Sequence, residues 1–291
     1  MEKISQMNIR EKFTYYFLHY LSRYLKQVSN KRRKRYIGWL SGFAYKYIPI
    51  RKNEAYKNIK LAFPNQSHQW IEKVLKGSYK TVVENFIDFL SISTTVETTN
   101  FKIENKNIID DALNKNKGII LITGHFGLWE KWAAWFGKNK YPLWGIIQRQ
   151  SNKGSDLFFK DTRESYGMRH IYRKSSLDQA YKILKENKIL ILASDQDAKH
   201  RGVIVDFFNH KTSVPKGAAI FHLKTGAALI FSVATKNMDG SMSISFSELT
   251  LENERSIESI TQAYTKMLED KIIEFPDHYF WFHRKWKSTI N

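Results

Sequence analysis

The stretch 118-GIILITGHFGLWEKWAAWFGK-138 contains the transition on which the fold turns. Gly118 to Thr123 is a short apolar run dominated by isoleucine, bounded by glycine and too short for a buried helix, so it reads as a buried strand. Gly124 to Gly127 reads as a turn, and from Leu128 to Lys138 the aromatic and apolar residues return at helical spacing. Strand, glycine turn and helix in that order place His125 at the carboxyl end of a strand, where open α/β sheets gather their reactive groups.

Outward from this point the pattern repeats. Residues 143–149, 188–194, 203–208, 228–235 and 242–248 are further strand candidates. Segments 155–167, 176–187 and 215–226 read as helices between them, the last closed by Gly226 as a C-terminal cap, and another helix is expected near 256–275. Alternation of this kind predicts an α/β fold, a mostly parallel central sheet flanked by helices. Residues 1–95 differ: long periodic stretches punctuated by Pro49 and Pro64 predict an N-terminal helical extension, basic and aromatic, that associates with a membrane. The α/β core is expected over 96–291, continuous with the extension as one domain.

Charge narrows the function classes. The chain carries 47 Lys and Arg against 28 Asp and Glu, a formal +19. Residues 1–100 hold 18 basic and 7 acidic side chains, so +11 of the excess lies there. Nucleic acid, an anionic lipid surface and an acidic protein each satisfy that imbalance. Zinc-finger spacing, an RRM signature and a P-loop are all missing, which argues against nucleic acid. In 13-FTYYFLHYLSRYLKQVSNKRRKRYIGWLSGFAYKYI-48 aromatic clusters alternate with cations, a composition suited to a headgroup interface and equally to a helical pair packed on a core. In the tail 279-YFWFHRKWK-287 aromatics interleaved with Arg284, Lys285 and Lys287 also suit an interface, and nucleic-acid stacking would look similar. Cysteine is absent, which removes disulfides, thiolate zinc sites and a cysteine nucleophile together.

His125 in the turn and Glu130 in the first turn of the following helix are the pair the sequence offers for proton transfer. The helix dipole favours ionised Glu130. A carboxylate against one imidazole nitrogen would fix the tautomer and leave the other nitrogen to act as general base. Asp195, Asp197 and His200 also invite a metal reading, against which stands the commoner use of a strand-end Asp as a loop cap. Trp129, Trp132 and Trp135 form a stripe that could wall an acyl groove or fill the core.

At GHFGLWE the sequence resembles the His-four-residues-acid motif of the lysophospholipid acyltransferase superfamily, in the form found in the lipid A late acyltransferases, the lauroyl and myristoyl transferases. The likeness continues upstream at 51-RKNEAYKNIKLAFPNQS-67 and downstream at 148-QR-149, 163-RESYG-167, 194-SDQDA-198, 207-FFNHKTSVPKG-217 and 281-WFHRKWK-287, in family order. Two departures stand out: Leu128 where this branch often has Asn, and Asn209 where Gly usually follows the two phenylalanines.

The resemblance implies transfer of a fatty acyl chain from an acyl carrier protein thioester to a hydroxyl of a lipid A precursor. It implies a peripheral or monotopic enzyme at the cytoplasmic face of the inner membrane, needing no cofactor or metal and partnered by anionic lipid rather than nucleic acid. Another lysophospholipid or an aminolipid is the alternative acceptor. His125 would deprotonate the hydroxyl and Glu130 would orient it. Arg149 and Arg163 would hold a phosphate or sugar face of the acceptor, with Asp195 holding Arg163 or touching the sugar. Backbone amides of Phe126 and Gly127 would meet the oxyanion.

Overall fold

The computed structural model describes residues 2–48, 51–173, 177–249 and 256–290. Pro49 and the first residue of the helix expected at 176–187 lie outside them. The chain begins with α1 (Glu2–Ser5), α2 (Ile9–Gln27), α3 (Asn30–Tyr47), α4 (Lys52–Ala62), α5 (His68–Leu90) and α6 (Ile92–Thr98). Then strands and helices alternate: β1 (Phe101–Glu104), α7 (Lys106–Asn114), β2 (Ile119–Thr123), α8 (Trp129–Lys138), β3 (Leu143–Ile147), α9 (Lys153–Ser165), β4 (Arg169–Tyr172), α10 (Leu177–Lys185) and β5 (Ile189–Ala193). A hairpin, β6 (Val203–Phe207) and β7 (His210–Val214), precedes α11 (Gly217–Thr225), β8 (Ala228–Lys236), β9 (Met242–Glu248) and α12 (Ile257–Glu274).

Seven strands form one sheet in the order β1-β9-β8-β2-β5-β3-β4, parallel throughout except for the β8/β9 pair. The expected α/β class holds. β2 is central and wholly buried because its side chains divide between two layers. Ile120 and Ile122 pack with α4, α5, α10, α11, α12 and the C-terminal segment, whereas Ile119 and Leu121 pack with α7 and α8. Of the strand expected at 203–208, Val203 to Phe207 pair with β7 in a separate antiparallel hairpin rather than joining the sheet. Its two-residue turn puts Phe208 and Asn209 at φ 52° and 59°. Asn tolerates that left-handed region better than most side chains, so Asn209 is a turn residue. Gly226 closes α11 at φ 68°, its N–H donating to the His222 carbonyl at 2.8 Å.

The helical first third is not uniform. Ala55, Ile59 and Ala62 of α4 and Ile71, Val74 and Leu75 of α5 share the core of the sheet. Helices α2 and α3 lean instead on α5 and α9 through Leu18, Leu25, Ile37, Phe89 and Phe158. Their outward faces carry large apolar rings in solvent: Phe13, Tyr16, Phe17, Tyr20 and Tyr24 on α2, and Trp39, Phe43 and Tyr47 on α3. No helix among the described residues is long and apolar enough to cross a membrane.

Candidate active site

Strand register builds the site. β2 and β5 are parallel neighbours with Thr123 opposite Ala193, and the Ser194 N–H donates to the Thr123 carbonyl at 2.9 Å. His125 and Asp195 each stand two residues beyond those ends, so the sheet delivers them side by side at its carboxyl edge. Asp195 is fully buried and meets His125 twice: Oδ1 lies 2.8 Å from Nδ1, and Oδ2 accepts from the His125 backbone N–H at 3.0 Å. The imidazole side chain keeps 27% of its surface exposed, and Nε2 has no hydrogen-bond partner among the described residues.

Electrostatics follow from this geometry. Burial alone would lower the His125 pKa, but the Asp195 charge and hydrogen bond outweigh it and raise it above the ordinary value. Burial would raise Asp195, yet the imidazolium it faces holds its carboxyl well below the usual carboxylate range. His283 packs against His125 with ring centroids 4.9 Å apart, and its Nε2 is 3.2 Å from the Gln196 amide nitrogen. Burial pushes its pKa down to about 4, so it is neutral near pH 7. Trp129 and Phe280 complete an aromatic surround, at 5.6 and 6.2 Å from the His125 ring.

The expected contact between His125 and Glu130 is not formed. Glu130 is buried and turned onto α9, where Arg163 Nη2 and Nε donate to its two oxygens, the latter at 3.1 Å, and Tyr166 Oη donates at 3.4 Å. Its influence on His125 is Coulombic and smaller than that of Asp195. The cause is the close approach of α8 and α9: a methyl group on Gly137 would collide with the Tyr166 carbonyl, and Gly167 beside it sits at φ 96°. That explains the glycine of RESYG. Arg163, read from sequence as a phosphate ligand held by Asp195, is instead buried and committed to Glu130, which raises its pKa. Arg149 remains exposed two residues past the end of β3, stacked 4.4 Å over the Tyr172 ring.

Other readings are also revised. The Phe126 N–H donates to the Gly124 carbonyl at 2.9 Å and the Gly127 N–H to the His278 carbonyl at 2.8 Å, so neither amide is free for an oxyanion. Their part is to shape the turn: Phe126 is buried and bridges to Tyr279, and Gly127, at φ 60°, has no room for a Cβ against the Ala234 carbonyl. The tail is core rather than interface, with Tyr279, Trp281, Phe282, Lys285 and Trp286 buried. Burial drops the Lys285 pKa to about 8. Asn58 donates to the carbonyls of Trp281 at 2.8 Å and His283 at 2.6 Å, which joins the segments 51–67 and 281–287.

Asp197 takes the Lys199 N–H and the Ser288 hydroxyl, and His200 is exposed, so the sequence's metal trio does not assemble. His125, Asp195 and His283 do bring one ligand atom each within 4.8 Å of one another. Both Asp195 oxygens, however, are already hydrogen-bonded to His125. The tryptophan stripe divides: Trp132 and Trp135 are core, with Trp132 Nε1 donating to Ser232 at 3.0 Å, and Trp129 stands at the site.

A sequence profile of the bacterial lipid A biosynthesis acyltransferase family matches residues 2–288. The chain belongs to that family. It is 21% identical over 266 residues to the lipid A biosynthesis palmitoleoyltransferase of Escherichia coli K12 and 24% identical over 266 residues to the lauroyltransferase of the same strain, covering 86% of this chain and 83% of each relative. A phosphatidylinositol mannoside acyltransferase of Mycolicibacterium smegmatis is 26% identical over 184 residues, 62% of this chain and 60% of that protein. The match thus spans less than two thirds of the mycobacterial relative. Family and relatives thus liken this chain to acyltransferases of lipid A and of a phosphatidylinositol mannoside.

Proposed function

We propose that this lipid A family acyltransferase moves a fatty acyl group from an acyl carrier protein thioester to a hydroxyl of a lipid A precursor, with His125 as general base. The observation that carries this reading is the Nδ1 contact of His125 with buried Asp195 at 2.8 Å, which leaves Nε2 for substrate. Nε2 takes the proton as the hydroxyl oxygen attacks the thioester carbonyl. Collapse of the tetrahedral intermediate breaks the C–S bond, and the imidazolium returns the proton to the departing sulfur. Atoms balance as ester plus free thiol, without an acyl-enzyme.

Asp195 keeps imidazolium stable while that proton is held. Glu130 and Arg163 act one step further out, locking α8 to α9 and so fixing the turn that presents His125. Exposed Arg149 at the carboxyl edge is the cation offered to an acceptor phosphate. The outward rings of α2 and α3, flanked by Arg10, Lys12, Arg23, Lys26, Arg35 and Lys46, support seating on the cytoplasmic face of the inner membrane.

The mycobacterial relative favours a second acceptor reading, another membrane lipid with a free hydroxyl. Acyl carrier protein loaded with a labelled acyl chain, offered a tetraacylated lipid A precursor and a lysophospholipid in parallel, separates the two. His125→Ala is expected to abolish transfer to whichever lipid is used, with vesicle binding unchanged. Undiminished transfer by that variant would remove the mechanism.

A further inference from the structure

A polar cavity of about 70 Å³ lies among α3, α5, the end of α6, α8 and the β8–β9 turn. It has room for roughly two waters, the scale of a phosphate rather than of a nucleotide. Four cations line it, Arg33, Lys34, Lys131 and Lys236, against two carboxylates, Glu84 and Asp88. Lys131 pairs with Asp88 and Lys236 with Glu84, each at 2.5 Å, and the Asp88 charge also acts on Arg33.

Arg33 is left over. It is only 3% exposed, and its guanidinium donates to two neutral oxygens, Asn30 Oδ1 at 2.6 Å and Ser91 Oγ at 3.4 Å. Among the described residues no carboxylate lies within ion-pairing distance of it, although a buried cation normally needs one. The sequence makes the imbalance sharper. Segment 30-NKRRKR-35 forms the opening turns of α3, with no acidic residue in the first turn, at the helix end whose free N–H groups already favour negative charge.

We propose that this cavity binds a phosphate-type oxyanion, gripped by Arg33 and Lys34 from α3 and by Lys131 and Lys236 from the opposite wall. The phosphate is either free or the headgroup of a phospholipid; the recognition chemistry is shared. The site is separate from acyl transfer. Lys131 follows Glu130 on α8 and points about 100° away from it, so an anion held here braces that helix on the face away from Arg163.

Calorimetric titration of the full chain with sodium phosphate, at ionic strength fixed with sodium chloride, tests this. Titration with monomeric dihexanoyl phosphatidic acid forms the second arm. Saturable binding of either probe is expected, phosphate alone pointing to the free anion and phosphatidic acid alone to a headgroup. Arg33→Gln should weaken it at least about tenfold, as expected for losing a charge-assisted bidentate contact. Should that variant fail to fold, exposed Lys34→Gln and Lys236→Met serve instead, each with a several-fold loss. Absence of saturable binding of both probes to the wild type, or equal affinity in the folded variants, would overturn the proposal.

Discussion

Two ion pairs flank the turn that carries His125, and they are built differently. His125 and Asp195 lie 70 positions apart in sequence and meet because two parallel strands end in register. Glu130 and Arg163 lie 33 apart and meet because two helices are held together at Gly137 and Gly167. The first pair leaves a nitrogen of its histidine open; in the second, both carboxylate oxygens and the guanidinium are engaged inside the protein. The contrast teaches that the acid nearest in sequence to a histidine in a glycine turn need not be its partner. Here the short motif supplies the histidine and the helix clamp, and a distant strand end supplies the carboxylate.

Substitutions should separate the pairs. Asp195→Asn is expected to have the largest effect, a fall in kcat on the order of 10²–10⁴. Because Asp195 raises the His125 pKa, the wild-type acid limb of kcat/KM belongs above pH 6.5, with activity rising as pH rises and imidazole becomes neutral. Removing the Asp195 charge moves that limb to lower pH; an unmoved limb would assign the shift elsewhere. Glu130→Gln strands a buried arginine and should cost about 3–5 kcal/mol in denaturant unfolding, with reduced kcat. Its acid limb should move less than that of Asp195→Asn, since the Glu130 charge is the weaker influence on His125. A larger displacement in Glu130→Gln would reverse the two roles. The double variant Glu130→Met with Arg163→Met should recover much of the lost stability, as apolar replacements of buried pairs do. Tyr166→Phe removes one 3.4 Å hydrogen bond to Glu130 and should cost only about 0.5–1.5 kcal/mol, with the pH profile unchanged.

Much of this was legible in the sequence. β2, β3, β5 and β8 are legible because strands covered on both faces read as unbroken hydrophobic stretches, and β9 because Met, Ile and Phe alternate with serine. β1 and β4 were missed for the converse reason. They are the edges of the sheet, four residues each, with partly exposed side chains and no apolar run to see. His125 stood out through its glycine turn. Its pairing with Asp195 did not, since register between strands is a tertiary property. One signal was present: TGH at 123–125 and ASD at 193–195 each put a titratable residue two places past an apolar strand. The basic aromatic tail misled because buried tryptophans beside lysines look like an interfacial belt until Asn58 and the sheet are seen to enclose them.

Nitrogen-15 NMR of the imidazole of His125, on wild type, Asp195→Asn and Glu130→Gln, tests the account most directly. Neutral His125 should carry its proton on Nδ1 in the wild type and in Glu130→Gln, and should lose that fixed tautomer in Asp195→Asn. Retention of the Nδ1-protonated form in Asp195→Asn, with its loss in Glu130→Gln, would contradict the assignment of Asp195 as the partner of the base.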